Sequence, residues 1–350
     1  MDSGYSIEKS TSIISLDELL ETAPCNKIIG DNLIRAWSII NSPKYERICC
    51  SISGGSDSDI MMDICTKVDI HKKITYVFFN TGLEYSATKE HIKFLEQKYH
   101  VEIKTYEAWK YGMTIPSSCK KYGQPFINKE VSEFMQRLQR HNFKWEDKPF
   151  DKLYKEYPRC KSALKWWCNM KTPSHNIEKN KWLKEFLIEN PPKYRISNTC
   201  CRKAKKDIAH KILNIGKYDL NIVGVRKAEG GVRASAYKNC YSNNEKDIDE
   251  YRPVFWYKNE DKRCYEQNYS IVNSKCYTEY GLKRTGCCGC PFGKDFEYEL
   301  EVLEKYEPNL YTAVCNVFKD SYEYTRQYKE FCKEMDRKKK GYYQMSILDL

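Results

Sequence analysis

Two groups of residues in this sequence have the types and spacing of chemical sites. The first is Ser53-Gly54-Gly55-Ser56-Asp57-Ser58. Adjacent glycines let a backbone bend sharply and approach a ligand without Cβ obstruction, and the three serines add hydroxyl donors to the backbone amides. Glu46 to Ile52, before the turn, has the small and β-branched content of a buried strand. After it, Ile60, Met61, Ile64, Cys65 and Val68 recur at three- and four-residue spacing, which makes one apolar face of a helix. A helix that starts behind two glycines offers unpaired N–H groups and a positive dipole end, a socket for phosphate. No Gly-Lys-Ser/Thr ending follows, so this is not a Walker A loop. Asp57 is a carboxylate inside an anion socket; it is expected either to meet Mg²⁺ or to cap the helix. A plain Gly/Ser connector is the alternative, and the strand and helix flanking the turn argue against it.

The second group is Cys200-Cys201 together with Cys287-Cys288-Gly289-Cys290. An adjacent pair and a Cys-x-x-Cys turn can assemble four thiolates, with Gly286, Gly289 and Pro291 supplying backbone freedom and a stop. Cys200, Cys201, Cys287 and Cys290 are therefore candidate metal ligands. Cys288 is left over, as a filler or as a thiol that carries sulfur beside the metal. Zinc is the rival metal, although structural zinc prefers two separated Cys-x-x-Cys turns. Cys49-Cys50 is not of this kind, because neighbours on a strand point to opposite faces; these two are expected in the core.

The elements around these groups alternate in the manner of a parallel sheet. Ile74 to Phe79 reads as a second buried strand, Ser86 to Tyr99 as a helix, Val101 to Tyr106 as a third strand and Leu220 to Gly224 as a later one. Ligands of such sheets bind at the carboxyl ends of strands, which places Thr81, Gly82 and Glu84 beside the phosphate loop. The last of these strands leads to Arg226 and Arg233, which could fork onto phosphate or sulfate oxygens. A short helix is expected over 15–21, and a better one over 31–40 with Asp31 as its N-cap. The expected fold is α/β, a parallel twisted sheet with flanking helices, a helical insertion and a helical C-terminal region. The expected division is N-terminal helices at 1–45, an α/β domain at 46–108 and 196–293, a basic insertion at 109–195 and a helical region at 294–350.

The 350 residues carry a formal charge of +11, which favours a polyanionic partner. From Lys110 to Arg195 there are 19 Lys and Arg against 9 Asp and Glu, so nearly the whole surplus sits in that stretch. Trp145, Trp166, Trp167 and Trp182 lie in it, available in principle to stack on unpaired bases, and a nucleic acid is the expected partner there. The opening residues have neither a basic n-region nor an apolar h-region, and no apolar run approaches the ~18 residues of a membrane span. A cytoplasmic location is expected, in which 17 cysteines would not pair as disulfides.

Ser53-Gly-Gly-Ser-Asp-Ser58 resembles the SGGxDS pyrophosphate loop of the PP-loop ATP pyrophosphatase (adenine nucleotide alpha hydrolase) superfamily, to which the phosphoadenosine phosphosulfate (PAPS) reductases belong. Thr81-Gly-Leu-Glu84 is similar to the second nucleotide-contacting loop of that family, with Ser86-Ala87 where Pro-Glu is often found. Arg226 and Arg233 resemble its GxR…R element, and Tyr251 to Trp256 is a further family-like segment. The cysteine arrangement resembles that of the [4Fe-4S] sulfonucleotide reductases, down to Cys200-Cys-Arg-Lys203 and Gly286-Cys-x-x-Cys290. The likeness covers roughly 46–106 and 196–293.

The resemblance implies an adenine nucleotide held by Ser53 to Ser58, Thr81, Gly82 and Glu84, catalytic roles for Asp57, Ser58, Arg226 and Arg233, Mg²⁺, and a [4Fe-4S] cluster on the four cysteines. The first expectation is an enzyme that cleaves ATP to AMP and pyrophosphate and activates a substrate, such as a nucleic acid, for sulfur transfer. A sulfur- or electron-donor protein would be its partner. The second is a sulfonucleotide reductase; the family's reductases carry a nucleophilic cysteine in a C-terminal tail, where this sequence ends Gly341 to Leu350 without one. The third is a non-enzymatic iron–sulfur protein that binds nucleic acid or senses redox state.

Overall fold

The computed structural model describes residues 15–230, 236–243, 248–293 and 295–348. Two compact units emerge, Met1–Gly112 with Lys205–Cys287, and Met113–Ala204 with Cys288–Leu350.

The first unit is the α/β body. Among the described residues its strands are β1 (Ile48–Ile52), β2 (Ile74–Asn80), β3 (Ile103–Glu107), β4 (Leu220–Val223), β5 (Tyr241–Ser242) and β6 (Asp249–Tyr251). They lie in the order β3-β2-β1-β4-β6-β5. All neighbours are parallel except β5, which runs antiparallel to β6. Ile48 sits beside Ile74 on one side and Leu220 on the other, so β1 is central.

Flanked by strands on both sides, β1 has buried residues on both faces, with only Ser51 half-buried, instead of a strict alternation. Cys50 points into a core with Leu33, Ile60, Ile64 and Tyr251, and Cys49 into a separate one with Val77, Leu213 and Tyr218. The adjacent cysteines are thus divided between the two faces.

The helices of this unit include α1 (Leu16–Glu21), α2 (Lys27–Ile40), α3 (Ser56–Val68) and α4 (Ser86–Tyr99). Ser15 and Glu18 close a capping box on α1. The structure corrects the start of α2: Asn26, not Asp31, caps it, its side chain accepting from Ile29 N–H at 3.2 Å. Asp31 lies one turn inside and pairs with Lys27 at 2.6 Å. Both residue types cap well, but only Asn26 stands before the first apolar residue that packs.

The second unit is helical. Its core gathers Phe126, Met135, Leu138, Trp166, Trp167, Ile177 and Phe186, and Tyr324 from the C-terminal part packs into it with Phe331 at its edge. That packing puts 113–204 and 288–350 in one unit, where the sequence suggests two regions. The two C-terminal helices, Phe296–Tyr306 and Pro308–Leu348, stand where helices are expected, the second broken in regularity at Phe318.

Trp166 and Trp167 are fully buried and Trp145 nearly so. Trp182 donates its indole N–H to Asp336 at 2.7 Å. The expectation that these rings are available to stack on bases is corrected for the first three: tryptophan at helical spacing filled the core. Among the described residues, no helix is long and apolar enough to cross a membrane.

Candidate functional site

β1 ends at Ile52 and the chain turns through Ser53, Gly54 and Gly55 into α3. Gly54 has φ +66°, and a Cβ there would stand 2.8 Å from Thr88 Cγ2 on α4. The position needs glycine on both counts. Gly55 is the helix N-cap and has no side chain to satisfy the first amides of α3. Ser58, one turn in, holds the loop shut by accepting from Ser53 N–H at 3.0 Å.

β1 pairs with β2 on one side and β4 on the other, so the connections leaving these strands diverge at this point. Open parallel sheets bind ligands in that crevice, at the carboxyl ends of the strands. The strand beside β1 contributes Gly224, where a Cβ would lie 3.0 Å from Ser58 Cα and 3.2 Å from its amide nitrogen. Absence of a side chain at Gly224 lets the β4 loop lie directly on the first turn of α3, and it carries Arg226 to the phosphate loop.

Arg226 Nε is 2.8 Å from Asp57 Oδ2. Lys262, from the helix Asn259–Asn268, places Nζ 3.1 Å from Asp57 Oδ1 and donates to Ser56 Oγ. Asn259 on the same helix accepts from Arg226 at 3.1 Å. Two of the protein's own cations thus form ion pairs with Asp57, while its Oδ1 and Arg226 Nε are buried without a hydrogen bond. Tyr277 OH accepts from Ser56 N–H at 3.3 Å and is itself 3.1 Å from Thr285 Oγ1.

Thr81 and Glu84, at the end of β2, bond each other, the threonine hydroxyl donating to the carboxylate at 2.6 Å. Both are buried, and burial pushes the Glu84 pKa up, against a smaller opposing pull from Lys205. Gly82 has φ +92° and donates its N–H to Asn80 Oδ1 at 3.1 Å. Beneath the loop, Asp59 and His91 form a buried pair at 2.9 Å, with desolvation raising the Asp59 pKa. Arg233 lies outside the described residues. Arg252, in the family-like segment 251–256, is buried against Tyr237, its guanidinium 3.8 Å from the ring centroid, and it pairs with Glu250. It holds the β5–β6 corner.

In the second unit, Cys200 is hydrogen-bonded to Cys119 and Cys201, and Cys290 acts on it electrostatically. The bond to Cys119, together with burial, pushes the Cys200 thiol up, with Cys201 opposing. Cys288 is buried and Cys290 half-buried. A set of soft thiols gathered in this way has the donor chemistry that thiolate-ligated iron requires. Among the described residues, no three or more His, Cys, Asp or Glu side chains are disposed as a metal-holding group.

Residues 47–128 match the family model described as the phosphoadenosine phosphosulfate reductase domain. The match covers the phosphate loop, α3, β2 and α4 and shows that this stretch is similar to that domain. No curated protein matches the sequence.

Among solved structures, a phosphoadenylyl-sulfate reductase from Candida auris in a phosphate complex is 14% identical with a TM-score of 0.40, covering 79% of this chain and 96% of that one. A U34-tRNA thiolase from Methanococcus maripaludis with its [4Fe-4S] cluster is 13% identical with a TM-score of 0.38, covering 88% and 81%. An NH3-dependent NAD synthetase from Campylobacter jejuni is 11% identical with a TM-score of 0.34, covering 85% and 95%.

Within residues 47–128 the loop ends β1, and Thr81, Gly82 and Glu84 follow the adjacent strand β2. Lys262, Tyr277 and Thr285 are not foreseen: they lie more than 200 residues downstream of the loop and sit in no motif. Cys119 is missed for the same reason, a single cysteine in the helix Ile115–Tyr122 that only packing brings to Cys200.

Proposed function

We propose that this chain binds ATP as its Mg²⁺ complex at Ser53 to Ser58 and cleaves it between the α and β phosphates, activating an acceptor for sulfur transfer. The observation that carries the reading is the glycine turn at the switch point of the sheet, where backbone donors at the head of α3 face Arg226 from the β4 loop. Helix-terminal amides and a guanidinium suit a polyphosphate and little else of comparable size. An acceptor oxygen attacks the α phosphorus, the bond to the β-phosphate oxygen breaks, and pyrophosphate leaves with its charge met by these donors. Thr81, Gly82 and Glu84, at the end of the adjacent strand β2, bind the nucleoside side of the ligand.

Cys200, Cys201, Cys287 and Cys290 are the residues that would hold a [4Fe-4S] cluster, which when bound supplies thiophilic iron for sulfur delivery. The acceptor we propose is a nucleic acid, on the surplus of positive charge between Lys110 and Arg195. With Trp145, Trp166 and Trp167 buried, phosphate contacts are the main basis of that binding.

Anaerobically purified protein incubated with labelled ATP and with sulfonucleotides tests the reading. AMP and pyrophosphate are expected. Release of sulfite from a sulfonucleotide without AMP formation from ATP would make the chain a reductase instead. Titration of single-stranded DNA, duplex DNA and tRNA across a salt series tests the acceptor. Binding should weaken with salt, and charge reversal at Lys161, Lys165 and Lys171 should flatten that dependence while ATP affinity stays as it was. Absence of binding to all three at low salt would point to a small acceptor.

A further inference from the structure

The polyphosphate socket is already filled by the chain's own groups. Among the described residues, Arg226 and Lys262 both point at Asp57, at 2.8 and 3.1 Å. The side chains of all three are largely withdrawn from solvent, 9%, 17% and 13% exposed. The Ser56 amide, a natural phosphate donor at the head of α3, is capped by Tyr277 OH at 3.3 Å, and Lys262 donates to the Ser56 hydroxyl. Tyr277 OH and Thr285 Oγ1 lie 3.3 and 3.1 Å from where a Cβ of Gly55 would be, over the open side of the glycine turn. Glu266, 3.7 Å from Lys262, is a further carboxylate on the same cation.

We propose that Asp57 and Tyr277 are internal stand-ins for the nucleotide's phosphates, held on Arg226, Lys262 and the Ser56 amide until the polyphosphate displaces them. The inference rests on the nucleotide reading above and adds Lys262 as a phosphate-contacting residue. A carboxylate supplies the anionic oxygens of a phosphate, and a phenol oxygen accepts from an amide as a phosphate oxygen does. The exchange replaces one negative charge by several on the same two cations, so it runs towards the nucleotide. It also means that Arg226 and Lys262 keep a counter-charge beside them in the free socket; without one, such buried cations would be costly. Once released, the Asp57 carboxylate is available to the Mg²⁺ that arrives with ATP.

The arrangement makes an unusual demand. Removing a stand-in should strengthen the binding of a bare polyphosphate, because nothing then has to be displaced. The test is calorimetric titration of inorganic pyrophosphate, and separately of ATP, into the parent and three variants in EDTA, with thermal melts to verify folding. Asp57→Asn and Tyr277→Phe should each bind pyrophosphate about tenfold more tightly than the parent, and Lys262→Met about tenfold more weakly. Unchanged or weaker pyrophosphate binding by both Asp57→Asn and Tyr277→Phe, in folded protein that binds ATP, would overturn this inference and leave the nucleotide reading standing. Failure of the parent and every variant to bind pyrophosphate in EDTA, together with no ATP binding when the titration is repeated in Mg²⁺, would overturn both.

Discussion

Replacing Gly54 with Ala tests the geometry of the loop where two independent requirements meet. The first is conformational: at φ +66° an alanine pays the left-handed penalty, about 1–2 kcal/mol. The second is steric. The new Cβ would stand 2.8 Å from Thr88 Cγ2, well inside the ~3.5–4.0 Å at which carbon pairs are comfortable. Thr88 cannot simply swing away, since it is buried and its hydroxyl lies 3.6 Å from Cys276 Sγ. Forcing its stiff χ1 off its well adds about 1 kcal/mol. Gly54→Ala should therefore lose about 2–3 kcal/mol in urea denaturation, and ATP affinity with it. Thr88→Ser removes the methyl and keeps the hydroxyl, so in the double variant it should return about 1 kcal/mol and leave the φ penalty behind. A Gly54→Ala protein within about 0.5 kcal/mol of the parent, or a double variant that gains nothing from Thr88→Ser, would refute the reasoning.

Trp166→Ala removes a fully buried ring stacked on Phe134 at a centroid distance of 5.2 Å, and should cost about 3–5 kcal/mol in denaturation; a loss near zero would mean the ring is not core. For Glu84 the folded pKa is raised by burial, so its protonated form favours folding and that stability drains away as pH rises through the raised pKa. Glu84→Gln should accordingly match the parent at pH 4 and melt higher than the parent above that window; a Gln variant less stable than the parent at pH 7.5 would contradict the sign. Anaerobic protein should contain iron and absorb broadly near ~400 nm, with Cys200→Ser and Cys290→Ser losing the iron and Cys288→Ser keeping it. One zinc and no iron by metal analysis would refute the cluster.

The legible parts of the structure were those whose chemistry is local in sequence. The Ser53 to Ser58 turn could be read because the residues that bend it, the strand that delivers it and the helix it opens are contiguous. The division of Cys49 and Cys50 between two cores followed from the strand period alone, and α4 begins and ends where its apolar spacing does. What could not be read was long-range. Lys262 and Tyr277 reach the loop through a helix and a turn with no motif, and Cys119 meets Cys200 only through helix packing. Asp57 shows the same limit: its place in the socket suggested a cation, and nothing local in sequence pointed to Arg226 and Lys262 as its partners. The tryptophans of 145–167 misled for a different reason, since basic charge and aromatic content describe a solvated helix over an aromatic core as well as a nucleic-acid surface.

The most direct measurement is the fate of the α-phosphate of ATP. With ATP labelled at that position, anaerobic protein and Mg²⁺, the account predicts labelled AMP, free or on an acceptor, with one pyrophosphate released for each, and no such product from Gly54→Ala. Labelled ADP in place of AMP, or no turnover by a parent protein that holds its iron and offers candidate acceptors, would contradict it.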